Sequence, residues 1–531
     1  MLTRLVRLAT AAVFGGAAAI LVLTALAPAQ PARAANFDRY VAPEGRDDTD
    51  CSNSALPCLT PQYAINEASS GDVIRIAAGV YTDVHTLAFT TTDPYSFTQI
   101  AFISKTLTVS GGYTTSDWLT ADVVANPTVF DAQGHGRGVT VFGSGTEVVT
   151  VTGLTLTGGD YSGLGNPIGV AFRNCRFLGA DCGGGFYATR AQIHASNLTV
   201  VGNIVSRNRD LGRGGGLALE STLAGSTLDN LTVTGNQAPS VSSYGGGLAL
   251  DATSSVAINN STFVGNSAKS GGGGVSIIDP VGQIQMIGVR LETNASGEGA
   301  AVYAETYSPS NISLHQVEAL TNATSAGDVF TFHIYGDNLH ELHFRNVLIA
   351  GTTVTFSVPT SGWIHAEVGY HLIGEVTLDA AHVTAAGNEG IALLEVQAVT
   401  TGITSTLSSG IVMAAFTNTL VTDLSALFLP AEYEPSQITI TADHTLTENV
   451  PAISTGVIGS PTIVLTNTVV GQPRLNGDYF PRAFSAAIDA GLNVGEGVDA
   501  SGAPRDGLPD IGALEAPADT YKRVYLPLLR K

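Results

Sequence analysis

Lysine is almost missing from this chain: Lys105 and Lys269 are the only ones between residues 35 and 521. Charged residues make up only 13% of it, against roughly a quarter in an ordinary soluble domain. Helices with charged outer faces therefore lack their raw material. Cationic surface is scarce as well, and the formal net charge is −21. Such a surface repels nucleic acid and anionic lipid headgroups at long range, so neither is expected as a partner. Long apolar runs are absent after residue 34, which leaves no later segment able to cross a bilayer as a helix. Gly, Thr, Ser, Ala and Val fill the space, and that mixture favours strands and turns.

Cysteine is scarce too, but its placement is regular. The 4 cysteines fall into two pairs of equal spacing, Cys51 with Cys58 and Cys175 with Cys182. Neither pair has the tight spacing of zinc ligands. In an exported chain they suggest two local disulfides on surface loops, although the spacing alone leaves the pairing open.

Export is the expectation from the first 34 residues. Arg4 and Arg7 precede an apolar stretch from Leu8 to about Ala29, and Ala32-Arg33-Ala34 supplies a small-x-small triplet. That order is the pattern of a cleaved signal peptide. An uncleaved anchor is the competing reading, and the absence of a charged stop-transfer flank argues against it. Cleavage would remove three Arg and no acid, taking 24 Lys+Arg to 21 against 45 Asp+Glu, a net charge near −24. The C-terminus lacks the spacer and apolar tail of a lipid-anchor signal.

The body of the chain repeats. Glycine clusters open at Gly183, Gly214, Gly245 and Gly271, and a weaker Gly299-Ala300-Ala301 follows. Each is followed by a short apolar run such as Leu217-Ala218-Leu219 or Leu248-Ala249-Leu250. Each unit closes with an asparagine: Asn203, Asn236, Asn266, Asn294 and Asn322. Period-two alternation before each asparagine marks strands. The unit is too short for a propeller blade and lacks a helical half. A coil of short strands fits, each stacked on the last at about 4.8 Å. Asparagine suits a left-handed corner and can bond to the asparagine above and below.

Val148–Thr157 and Thr106–Gly112 read as earlier coils, and Leu342–Ile349 and Val376–Asn388 as later ones. Residues 72–480 then make about fifteen coils, a rod roughly 70 Å long. Exposed end strands need covering. Thr60, Pro61, Ile65, Ala68 and Gly71 carry the start, face and stop of a short capping helix. The expected fold is all-β: a right-handed parallel β-helix, or solenoid, with an N-terminal capping helix. Its parts are a signal peptide (1–34), a cap region (35–82), coils (83–480), a closing module (481–515) and a tail (516–531).

Four resemblances follow from these residues. The Gly-Gly-Gly-Leu clusters alternating with Val-Val-Gly-Asn and Phe-Val-Gly-Asn over 183–301 resemble the paired repeats of chlamydial polymorphic outer-membrane proteins. Those are β-helical adhesins that end in a membrane barrel, and too few residues follow the repeats here to build one. Cys51 to Thr82, with Gly71-Asp72-Val73-Ile74 and Gly79-Val80-Tyr81, resembles the opening of bacterial right-handed β-helix proteins, a fold shared with pectate-lyase-like families. The segment from Ala487-Ile488-Asp489-Ala490-Gly491 to Asp510-Ile511-Gly512-Ala513-Leu514-Glu515 is similar to the closing module of secreted β-helix proteins with varied anchoring tails. Leu514 stands where an aromatic is commoner. The final Tyr521–Lys531 is similar to sorting tails, or else is a terminal strand.

Groupings of reactive side chains are few in this sequence. Asp489, Asp499, Arg505 and Asp510 suggest an ion-pair network on the last coil, with calcium as an alternative. Gly134-His135-Gly136 reads as a turn, and Asp443-His444 has no supporting partner nearby in sequence. Six histidines lie between residues 333 and 382, interleaved with Glu341 and Glu367: His333, His340, His343, His365, His371 and His382. With Leu342 and Phe344 inward, Glu341, His343 and Arg345 face out. His365 and Glu367, one coil on, are expected to stack close by. His340, Glu341, His343, His365 and Glu367 have the donor types of a zinc site. A polar patch is the other functional option, and unconnected surface histidines the plain one. No catalytic, cofactor or metal residue is assigned on this pattern. The expected role is an adhesin-like rod contacting glycans or cell-surface components. A polysaccharide lyase or hydrolase, served by platforms such as Trp363 and Tyr370, is one alternative. A structural envelope component is another.

Overall fold

A computed structural model describes residues 37–516, apart from 90–94, 163–180, 206–210, 326–328, 336–338, 352, 355–361, 370–374, 387–391, 400–410, 423–425, 431–436, 449, 451, 455–461, 470, 484 and 506–507. The expected signal peptide, Cys175, Tyr370, His371 and the tail from 517 lie outside the described residues.

Strand alternation builds the coil. In Leu217–Glu220, Leu217 and Leu219 point inward and are fully buried. In-register parallel pairing then puts like over like. Leu217 stacks on Leu248, Val275, Val302 and Phe330; Leu219 stacks on Leu250, Ile277, Ala304 and Phe332. A second file of strands runs without a break from Val73–Ala77 through Val256–Asn259 and Glu375–Ala386 to Thr462–Thr466. Among the described strand pairs only His85–Phe89 with Tyr95–Ile103 is antiparallel. The stack is a parallel β-helix whose core is one continuous column of Leu, Ile, Val and Phe. Burying each such side chain contributes roughly 1.5–3 kcal/mol.

The five closing asparagines form one column, and all are fully buried. Asn203, Asn236, Asn266 and Asn294 each donate their backbone N–H and side-chain Nδ2 to Oδ1 of the next, at 2.9–3.2 Å. The steps span 33, 30, 28 and 28 residues. The left-handed corner expected at these asparagines falls one residue earlier, on Gly202, Gly235, Gly265, Thr293 and Thr321, with φ between 49° and 65°. The asparagine itself must aim its amide inward, so the preceding residue makes the turn. Left-handed asparagines do occur at a different corner: Asn197, Asn230 and Asn260, with φ of 50°, 53° and 48°.

The helix Pro61–Glu67 covers the first coils. Thr60 Oγ1 accepts from Tyr63 N and donates to Asp47. The helix ends at Ala68 rather than at Gly71, whose N–H bonds to Thr106 O. Lys105, one of the rare lysines, donates to the carbonyls of Ile65, Asn66 and Ala68 at the helix end, where a cation suits the dipole.

The closing segment docks on the flank of the stack, not only on its last coil. Asn418 holds Leu492 through both its amide N and O, at 2.6 Å each. Asn346 donates to Val498 O, Gln316 to Asp499 O, and Ala513 N to Thr384 Oγ1. Gln316, Asn346, His382 and Asn418 make one column of left-handed corners, with φ of 53–55°. A protruding corner exposes backbone and side-chain polar groups, and the docked segment satisfies them.

Candidate functional site

The expected histidine grouping separates. Leu342 and Phe344 are buried, while Glu341 and His343 lie on the outward face 3.8 Å apart. The same alternation sends His340 inward, fully buried, with Nδ1 2.9 Å from Ser310 Oγ. Burial pushes its pKa down to about 4. His365 and Glu367 pair with Thr331 and His333 in a different strand file. The neighbour of His343 in the next coil is Asp379. The sequence distance from His343 to His365 is less than a full turn, so the two do not stack. His382 is buried at a corner against Asn418; burial, and then Arg505, pushes its pKa down to about 3. Among the described residues no three metal-donor side chains converge.

The acidic network of the closing segment takes a different form from the expected one. Arg505 pairs with Glu515 at 2.8 Å and also donates to Asn346 Oδ1. Asp499 accepts the amides of Ser501, Ala503 and Glu515. Asp510 accepts those of Asp489 and Ala516. The Asp499 and Asp510 carboxylates thus bind backbone N–H groups. Cys51 and Cys58 form a disulfide closing a loop of separation 7, and Cys182 is disulfide-bonded too. His135 sits in a turn, its N–H bonded to Ala132 O. Asp443 and His444 touch at 3.1 Å on the corner column. Trp363 lies on the strand Gly362–Gly369.

A cluster not anticipated from sequence stands on the outward face of the strands that follow the glycine clusters. The residues before the first three clusters, the opening glycine of the fourth and the residue before Gly299 form one column: Cys182, Arg213, Tyr244, Gly271 and Glu298. Beside it runs the outward column Tyr187, Ala218, Ala249, Ser276, Tyr303 and Thr331. Small residues in one column leave room for rings in the other. The Arg213 guanidinium lies 4.5 Å from the centre of the Tyr244 ring. Tyr244 and Tyr303 have ring centres 5.0 Å apart, and the His333 ring follows at 5.2 Å from Tyr303. A Cβ on Gly271 would meet Tyr303 at 2.6 Å and Tyr244 at 3.1 Å. Glycine is therefore the residue that lets these rings lie in file.

Carboxylates edge the rings. Glu305 accepts from Tyr303 Oη at 3.2 Å and from Tyr307 Oη at 2.8 Å. Glu298 meets His333 Nε2 at 3.0 Å. Arg213 faces Asp251 at 3.9 Å, and Tyr187 Oη donates to Glu220 at 2.6 Å. Burial and then the Glu305 carboxylate push the Tyr307 phenol up to about 12. Tyr244 is raised as well, chiefly by burial. Both phenols thus remain hydrogen-bond donors at neutral pH. Tyr307 is 54% exposed, and the Glu298 side chain 43%. Tyr303 and His333 are buried, so what the cluster offers solvent is the Tyr307 ring, part of Tyr244 and the Glu298 and Glu305 carboxylates. Part of its signal was present in the sequence, in Arg213, Tyr244 and Glu298 just before their glycines, but only the stacking register brings Tyr303 and His333 beside them.

Residues 125–317 match the family model described as "Right handed beta helix region". The matched span contains four of the five asparagines of the column, all but Asn322, and the three tyrosines Tyr244, Tyr303 and Tyr307. Among solved structures, pectate lyase Pel9A is similar over 91% of this chain and 97% of that one, at 15% identity and a TM-score of 0.42. An alginate lyase of the PL6 family, AlyGC, is similar over 77% and 79%, at 10% identity and a TM-score of 0.16. No curated protein matches the chain. With the coils stacked in parallel register and the family match lying across them, the chain is an all-β right-handed parallel β-helix.

Proposed function

We propose that this chain is an exported β-helix rod that contacts glycans or cell-surface components through the tyrosine row, without turning them over. The observation behind the proposal is the Tyr244–Tyr303–Tyr307 group held around Glu305, with Glu298 at its edge. Ring faces beside fixed carboxylates suit the apolar faces and hydroxyl groups of sugars. The leader pattern of residues 1–34 and the Cys51–Cys58 disulfide support export.

The test is to incubate the full chain with neutral, amino and uronic glycans, with and without calcium. Retention without new reducing ends or unsaturated products, weakened by Tyr244→Ala, is the expected result. Product formation would overturn the non-catalytic reading. A second reading, a polysaccharide-cleaving enzyme, draws on the Glu298–His333 contact at 3.0 Å, a pairing suited to acid–base work. Products that vanish in Glu298→Gln would establish it. No retention and no products would leave a purely structural envelope role.

A further inference from the structure

We infer that the tyrosine row selects cationic amino sugars, glycans bearing free ammonium groups, over neutral or uronic ones; this rests on the glycan-contact reading above. Most groups open to solvent are anionic or aromatic: Tyr307 is 54% exposed, the Glu298 side chain is 43% exposed, and Glu305 and Tyr244 are half-buried, while Lys269, two residues before Gly271, is exposed beside the row. The cations described in the cluster are already engaged and largely covered. Arg213, its side chain 12% exposed, lies between Asp251 and the Tyr244 ring. His333, its side chain 11% exposed, is held by Glu298.

A uronate approaching the Tyr307 ring faces the Glu305 and Glu298 carboxylates. An ammonium group meets those carboxylates and the exposed ring of Tyr307. Glu305 is fixed in place by two phenol donors, so it need not be ordered when a ligand arrives. The net charge of −21 also raises the local concentration of cationic chains near the surface.

The experiment is calorimetric titration of the full chain at pH 6 and low salt with three probes: glucosamine hexamer, N-acetylglucosamine hexamer and galacturonate hexamer. The glucosamine hexamer is expected to bind about tenfold more tightly than the N-acetylated one, from one desolvated cation–π contact and one ion pair. Added salt should shrink that gap. Glu305→Gln and Tyr307→Ala should each reduce it at least by half while leaving the melting temperature in place. Equal affinity for the amino and N-acetyl hexamers, or preference for the uronate, overturns the selectivity and leaves the glycan reading standing. Selectivity that survives both substitutions also overturns it. Failure of all three hexamers to bind overturns both readings.

Discussion

The ring of Tyr303 occupies the space that a Cβ on Gly271 would need, 2.6 Å from that position. The two residues belong to adjacent columns. Tyr244 stacks on Tyr303 with ring centres 5.0 Å apart because that space is empty. Gly271→Ala should therefore push Tyr303 out of file. The expected result is a several-fold loss of glycan retention with a melting temperature lowered by only a few degrees. Retention unchanged from the parent chain would show that the row does not act as a unit.

The asparagine column makes a different prediction. Asn266 accepts two hydrogen bonds from Asn236, donates two to Asn294, and gives a further one to Val233 O. Asn266→Ala removes the acceptor and strands buried donors, which should cost about 3 kcal/mol. Asn230→Gly, on the exposed corner and keeping its φ of 53°, should cost under about 1 kcal/mol. Urea midpoints of the two variants compare them directly; equal midpoints would contradict the difference.

Acid should loosen the C-terminal half. His340 and His382 have folded pKa values pushed down to about 4 and about 3, below the ordinary value near 6.5. Below pH ~6.5 the unfolded chain binds protons that the folded chain refuses, so this contribution is complete above ~6.5 and falls away as pH drops. The slope is about 1.4 kcal/mol per pH unit for each histidine. Replacing both with Gln should flatten the stability profile between pH 6.5 and 4, measured by urea unfolding at each pH. A profile with the parent slope would assign the acid sensitivity elsewhere.

Cys51→Ser with Cys58→Ser opens a loop of separation 7. The chain-entropy estimate for so short a loop is about 2 kcal/mol. The loss should be local, read as faster proteolysis before residue 60 while the coils stay folded. Cooperative unfolding of the whole stack on reduction would show a wider role for this staple.

Much of the architecture was legible because the chain writes its period twice, once in glycine clusters and once in asparagines. Asn203, Asn236 and Asn266 could be put in one column from spacing and residue type alone. The corner φ values could not be assigned the same way: the turn falls on Gly202 and Thr293, and asparagine looks equally suited to either position. The tyrosine row was hidden for another reason. Tyr244 and Tyr303 lie 59 residues apart in the numbering, and they meet only because coils of unequal length stack in register. The histidines misled in the opposite sense. His343 and His365 are near in sequence, but each coil contains separate strand files, and the two residues fall in different ones. The docking of Asn418 on Leu492 had no local signature, since one partner is a corner amide and the other a backbone.

The flank-docked closing segment changes how the molecule would bear load. A pull on the chain after residue 516 reaches Asn418, Thr384, Asn346 and Gln316 side by side, through Leu492, Ala513, Val498 and Asp499. The anchors lie on several turns, so load passes into the side of the stack and not into its last turn alone. An end turn is not left to peel away first, as it would in an unstrapped spring. A tether attached there would hold the rod by its side.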